Sequence, residues 1–320
     1  MGQVCARRQA IDALKVIAIF MVLNSHLDFL YPIPALAAGG AAGNSLFFII
    51  SGFFCSIQRS KKAWILNKFI RLYLSVWILI LLKCFCTRFP NTVSEFVAVF
   101  IWPTNFWFIS ALMAFYLIFF IMKVVHVADN IKTISILFLV IYFAVYFIWV
   151  VKENVDVEKT SLRLIYGFYT FLLGTWLKKN YNRIAVRANI LLSCGVIVFL
   201  GSMVFRLLWR KGLVPVGLQF LSQFMNIVFA FAMLVAFLKY EELYSLKAGA
   251  WFKKWINFLS SISLEMYIVQ FDVIDRFLQV KFPVNVAGTV IFTIALAAIL
   301  NQISLKITHF GKWCYRMIVT

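Results

Sequence analysis

Apolar runs of about twenty residues follow one another from residue 11 to residue 306, separated by short polar connections. A run of that length spans the hydrocarbon core of a bilayer as an α-helix, because only a helix satisfies its own backbone hydrogen bonds in lipid. Ten such runs are read: 11–30, 38–58, 64–86, 103–122, 132–151, 162–178, 188–208, 214–238, 256–279 and 284–306. They predict an all-α, polytopic transmembrane bundle of about ten spanning helices, with residues 1–320 forming one membrane domain. Composition agrees, since 63% of the chain is hydrophobic and only 13% is charged.

The net charge of +19 has a topological explanation. With the N-terminus inside, the larger share of Lys and Arg falls in cytoplasmic segments, including Arg7, Arg8, Arg59, Lys61, Lys62, Lys178, Lys179, Lys253 and Lys254, so both termini are expected in the cytoplasm. Basic residues dispersed between spans do not form a nucleic-acid-binding face. The first run follows Arg7 and Arg8 and lacks a small-x-small cleavage pattern, so it is expected to stay as the first span. Six cysteines without a CxxC pair and three histidines without ligand spacing predict packing roles and no metal site.

The first run, IDALKVIAIFMVLNSHLDFL, carries Asp12, Lys15 and His26 where a purely structural span would carry Leu or Val. Eleven residues separate Lys15 from His26, about three helical turns, so both face one way roughly 16 Å apart along the axis. Asp12 lies close to the same face. Ionisable groups in hydrocarbon are costly, and a row of them is expected to line a cavity, a path or a reaction site.

Further along, YPIPALAAGGAAG (31–43) reads as a turn or re-entrant segment beside the outer end of the first helix. Ser51 and Gly52 interrupt a Phe-rich run and allow a second helix to approach closely. Lys68 and Arg71, three apart, share a face at the cytoplasmic mouth of the third span, suited to phosphates. Residues 91–103 predict an interfacial helix, and Trp107, Ser110 and Tyr116 place polar tips on the next span. Gly167 and Gly174 form a packing stripe. The ninth run, SSISLEMYIVQFDVIDRFLQ, holds Glu265 deep in the span, with Asp272 and Arg276 spaced for an intrahelical ion pair.

These motifs resemble those of the integral-membrane acyltransferase family 3, the group that O-acetylates bacterial surface polysaccharides. The family's Arg, ten residues, then His is similar to Lys15 and His26, and its Leu-Phe-Phe-x-x-Ser-Gly-Phe block is similar to LFFIISGF at 46–53, which contains Ser51. Its following basic stretch resembles Lys68 to Arg71. Its Trp-Phe resembles Trp107-Phe108, its Phe- and Gly-rich span YGFYTFLLG at 166–174, and its Ser-x-x-x-Tyr-Leu resembles 263–268, which contains Tyr267. Two positions depart from the pattern. Lys15 keeps the charge of the family's Arg without its planar fork, and Gln270 stands where the family often has a His.

The resemblance implies acetyl-CoA as donor, a carbohydrate or polysaccharide hydroxyl as acceptor, and residence as a multi-pass protein in the bacterial cytoplasmic membrane. Acyl transfer needs a base for the hydroxyl proton and positive charge near the donor. His26 is the expected base, Lys15 the group that orients the donor, and Lys68 and Arg71 its phosphate contacts. Asp12, Ser51, Trp107, Glu265 and Tyr267 are expected in support. A different class also fits the polar track: a proton-coupled transporter or flippase using Asp12, Lys15, His26 and Glu265. A third reading is a non-catalytic family member acting as a receptor or scaffold.

Overall fold

The computed structural model describes residues 9–55, 61–241 and 249–319. Arg7, Arg8, Arg59 and Lys247, part of the expected inner charge, lie outside them. Among the described residues every regular element is helical: α1 (Gln9–Asn24), α2 (Gly40–Phe53), α3 (Lys61–Cys86), α4 (Val93–Phe96), α5 (Trp107–Val124), α6 (Ile131–Val145), α7 (Leu162–Asn180), α8 (Ala188–Arg210), α9 (Phe220–Lys239), α10 (Ala250–Ser261), α11 (Ser263–Phe277) and α12 (Val284–Val319). Among the described residues seven stretches are long and apolar enough to cross a membrane: 34–53, 63–86, 93–124, 131–151, 188–210, 216–239 and 284–310. Large apolar side chains point outward along them, as Ile190, Ile197 and Val204 do on α8. Seven-residue steps put these three on one helix face, and such a face suits lipid. This is an integral membrane protein.

Three of the ten expected runs, 11–30, 162–178 and 256–279, are not among these stretches, and the first and last of them differ in their helices as well. The first helix ends at Asn24, so its 16 residues extend about 24 Å. The ninth run is broken at Ile262, whose backbone leaves helical geometry at φ −101° and ψ 7°, giving α10 and α11 in place of one span.

The described residues separate into two compact units. Of the described residues, the first comprises 9–28, 35–55, 118–241 and 249–260, hence α1, α2, the end of α5, α6 to α9 and most of α10. Its core packs Leu14 and Ala18 of α1, Leu46 and Ile49 of α2, and Phe229 and Leu234 of α9. The expected close approach at Gly52 is present: a Cβ there would overlap the Phe171 carbonyl of α7, and one at Gly174 would overlap the Ile49 carbonyl of α2. Glycine at both positions is what lets the two backbones touch. At the other end of α2, a Cβ on Gly43 would lie 2.7 Å from the Ala18 carbonyl oxygen, so α1 also packs close against α2, though less tightly than α7 does. Asn24 closes the end of α1 by donating to the carbonyls of Leu36 and Ala38, at 2.9 and 3.0 Å.

Of the described residues, the second unit comprises 29–34, 61–117 and 261–319. Its centre is the α11–α12 pair with α3 against it. Phe277 of α11 packs tilted against Phe292 of α12, their ring centres 5.5 Å apart, and fills the space above Gly288. Within residues 91–103 a short helix forms as α4, with Thr92 accepting from the Glu95 N–H at 3.1 Å, and it widens into a π-turn over Val97–Ile101. That widening disturbs the regular hydrogen-bond ladder. The carbonyls of Phe100 and Ile101 then accept from Trp77 Nε1 and Tyr73 O–H of α3, at 2.9 and 3.1 Å.

Candidate active site

In the first unit the polar track begins in the first turn of α1, where the positive end of the helix dipole favours an acid. Asp12 is 4% exposed, and its Oδ1 meets Lys15 Nζ at 3.4 Å. The same oxygen accepts from Ser260 Oγ at 2.6 Å, which joins the start of α1 to the end of α10. A buried carboxylate held by a cation and a hydroxyl is a fixed charge pair, and Lys15 keeps its positive charge on the α1 surface with its ammonium partly accessible. Sequence reasoning missed Ser260. The Ser260-Ser261 pair just before the helix break was the available signal.

His26 lies two residues past the end of α1, outside every described helix. The chain tightens there: Ser25 N–H shares the carbonyls of Met21 and Val22, and His26 N–H bonds to the Leu23 carbonyl at 3.0 Å. The imidazole is half-buried. Desolvation holds its pKa below the ordinary 6.5, and the carboxylate of Asp28 opposes that shift. At neutral pH the ring is therefore an unprotonated base. Ser51, also in this unit, is half-buried on α2 next to Gly52.

The remaining expected residues belong to the second unit. Lys68 of α3 sits over aromatic faces, 4.5 Å from the Tyr116 ring centre and 5.8 Å from that of Trp64. Cation–π contacts of this kind hold an ammonium in place without neutralising it. Arg71, one turn on, is exposed. Trp107 opens α5 half-buried, and beside it the Phe108 N–H, one of the donors a helix start leaves unpaired, bonds to Tyr267 O–H at 3.4 Å. Glu265 is 4% exposed in the first turn of α11 and accepts from Ser75 Oγ at 2.8 Å; Ser304 Oγ lies 2.9 Å from that hydroxyl. Glu265 thus ties α11 to α3 and α12. The expected Asp272–Arg276 pair does not form. Asp272 reaches Lys83 of α3 at 2.6 Å, and Arg276 points outward, because an ion pair between neighbouring helices is available at that level.

Gln270 is fully buried, and neither of its amide atoms has a hydrogen-bond partner among the described residues. Unlike a histidine it cannot take up a proton. His26 is therefore the described histidine with both the partial burial and the α1 setting that proton transfer calls for.

The family model of an acyltransferase domain, acyltransferase family 3, matches residues 8–302. The chain belongs to acyltransferase family 3. It is an acyltransferase enzyme, and the match takes in α1 to α11 and much of α12. Searches among curated proteins and among solved structures find no match. Membership settles the choice between an enzyme and a transporter in favour of the enzyme.

The side chains fit an anionic acyl donor. Lys68 and Arg71 present two cations on one face of α3, and Arg71 enters no ion pair among the described residues. An exposed guanidinium fork is the donor geometry that phosphate oxygens match best.

Proposed function

We propose that this family member is a membrane O-acetyltransferase that moves an acetyl group from acetyl-CoA to a sugar hydroxyl of a surface polysaccharide, exopolysaccharide or lipid-linked precursor. It acts as one membrane domain in the bacterial cytoplasmic membrane, with both termini on the cytoplasmic side. The observation that carries the reading is the half-buried imidazole of His26, two residues past the end of the helix that holds the Asp12–Lys15 pair, in a chain of acyltransferase family 3.

Acetyl-CoA supplies an activated thioester, whose acyl group passes to the sugar oxygen as the CoA thiol leaves. An unprotonated nitrogen of His26 takes the hydroxyl proton as the new ester bond forms, and returns that proton to the leaving sulfur, so the imidazole ends neutral. Lys15, held by Asp12, orients the donor with its fixed positive charge. Lys68 and Arg71 hold the donor phosphates from the cytoplasmic side. Glu265 and Tyr267 support the second unit through Ser75 and the start of α5, and Ser51 and Trp107 stand in the same supporting role.

The test is transfer of labelled acetyl from acetyl-CoA into glycan by membranes carrying wild type or His26→Ala. Loss of a general base lowers the rate by about 10²–10⁴, and membrane insertion should be unchanged. Transfer at the wild-type rate by His26→Ala would overturn the assignment.

A further inference from the structure

In the first unit, an open groove of about 470 Å³ runs along the first turns of α8. It is lined by Asn189, Ile190, Ser193, Cys194, Ile197 and Val198. Steps of three and four residues place these side chains on one stripe, and the distance from first to last is roughly 14 Å of helix. The stripe is graded. Asn189 and Ser193 stand in its first two turns, and beyond Ser193 it carries only Cys194, Ile197 and Val198. The opposite side of α8 is taken up by protein: a Cβ on Gly195 would lie 3.3 Å from Met233 Sδ of α9, and Leu191 and Leu192 pack on the core of the unit. The groove therefore opens away from that core.

The chain leading into the groove is basic. Lys178 and Lys179 end α7, Arg183 closes a short 3₁₀ turn, and Arg187 is the residue from which α8 starts. All four are exposed, and among the described residues none of them forms an ion pair. The sequence holds no Asp or Glu between Glu158 and Glu241. This segment is anchored beside the start of α8. Tyr181 and Ile184 pack on the same core as Leu191 and Leu192, and the Ile184 carbonyl accepts from Lys239 Nζ at the end of α9, at 2.7 Å. Arg183 and Arg187 thus belong to the end of the groove where Asn189 lies.

We propose that this groove binds an anionic phospholipid of the surrounding bilayer. Cation, then amide and hydroxyl, then apolar stripe is the order met along α8, and phosphate, glycerol ester and acyl chain is the order met along such a lipid. The guanidinium forks of Arg183 and Arg187 match phosphate oxygens, Asn189 and Ser193 can donate to ester carbonyls, and Ile190, Ile197 and Val198 lie along the chain. Cations at span ends also orient a membrane protein. That role accounts for their charge and leaves the graded groove beside them unexplained. A second copy of this chain docking through the same face would set two basic clusters against each other. A phosphatidylcholine fits less well, because its ammonium group faces the same cations. The inference is independent of the acyl donor and acceptor proposed above.

The experiment places the full-length protein in nanodiscs of phosphatidylcholine with a minor share of phosphatidylglycerol carrying the same acyl chains. The protein is then released into mild detergent, and native mass spectrometry identifies the lipids that stay bound. A cation near an anionic head group is worth about fivefold in binding, so wild type should prefer phosphatidylglycerol about tenfold or more. Arg183→Gln with Arg187→Gln should abolish that preference. Ser193→Trp, which fills the groove and keeps every cation, should lower phosphatidylglycerol retention. Arg210→Gln with Lys211→Gln, which removes the same charge from the other end of α8, should leave it unchanged. Equal retention of the two lipids by wild type, or wild-type retention in either the arginine variant or Ser193→Trp, would overturn the proposal. An equal loss on changing Arg210 and Lys211 would reduce the effect to general charge attraction, and displacement of the lipid by millimolar inorganic phosphate would make it a phosphate site; either result also overturns it.

Discussion

Two carboxylates, one in each unit, are equally buried and differently matched. Asp12 and Glu265 are each 4% exposed. Asp12 has an ammonium and a hydroxyl on one oxygen, whereas Glu265 has a serine hydroxyl on Oε1 and no hydrogen bond to Oε2 among the described residues. The first is held in a charge pair. The second is a polar tie between three helices, and a neutral amide can take its place. The contrast assigns fixed positive charge to the α1 region and a bracing role to Glu265.

The sharpest way to break this contrast is Lys15→Ala. It removes the Lys15 ammonium from buried Asp12 and should destabilise the purified protein by about 3 kcal/mol, while Lys15→Arg keeps both charge and transfer. Equal melting temperatures and equal activity for the two variants would remove Lys15 from the site. Ser260→Ala deletes one hydrogen bond to a charged group and should cost about 1.5–3 kcal/mol, read as a lower melting midpoint in detergent. Glu265→Gln keeps an acceptor for Ser75 and should cost no more than about 1 kcal/mol; a cost matching Lys15→Ala would mean that the second unit depends on ionised Glu265 as the first depends on Asp12. The smallest effect near neutrality is that of pH. Because desolvation lowers the pKa of His26 below 6.5, its unprotonated form prevails at neutral pH and is lost only on acidification. Transfer should stay flat between pH 7 and 8 and fall below pH 6.5, and a rate already halved at pH 7.5 would contradict the proton-transfer role of His26.

The same contrast marks how far the sequence could be read. Asp12 and Lys15 are three apart on a helix, so their pairing follows from local geometry, as does the close approach at Gly52 once a small residue interrupts a Phe-rich span. Ser260, by contrast, reaches Asp12 across 248 positions, and Lys83 takes Asp272 from its neighbour Arg276. Both depend on which helices pack together, which periodicity does not encode. The end of α1 at Asn24 was hidden for a related reason: SHLDFL continues the apolar run, and the tight turn at Ser25 and His26 is held by Asn24 bonding forward to the Leu36 and Ala38 carbonyls. The bonds that hold residues 157 and 158 escaped for the same reason, because their partners Gln219 and Gln223 lie 62 and 65 positions further on.

The most direct test of acetyl transfer through His26 is mass spectrometry of the host's surface glycans with the gene deleted and then complemented by wild type or His26→Ala. An acetyl increment that disappears on deletion and returns only with wild type is the predicted result. An unchanged acetyl pattern on deletion, or its full return with His26→Ala, would contradict the account.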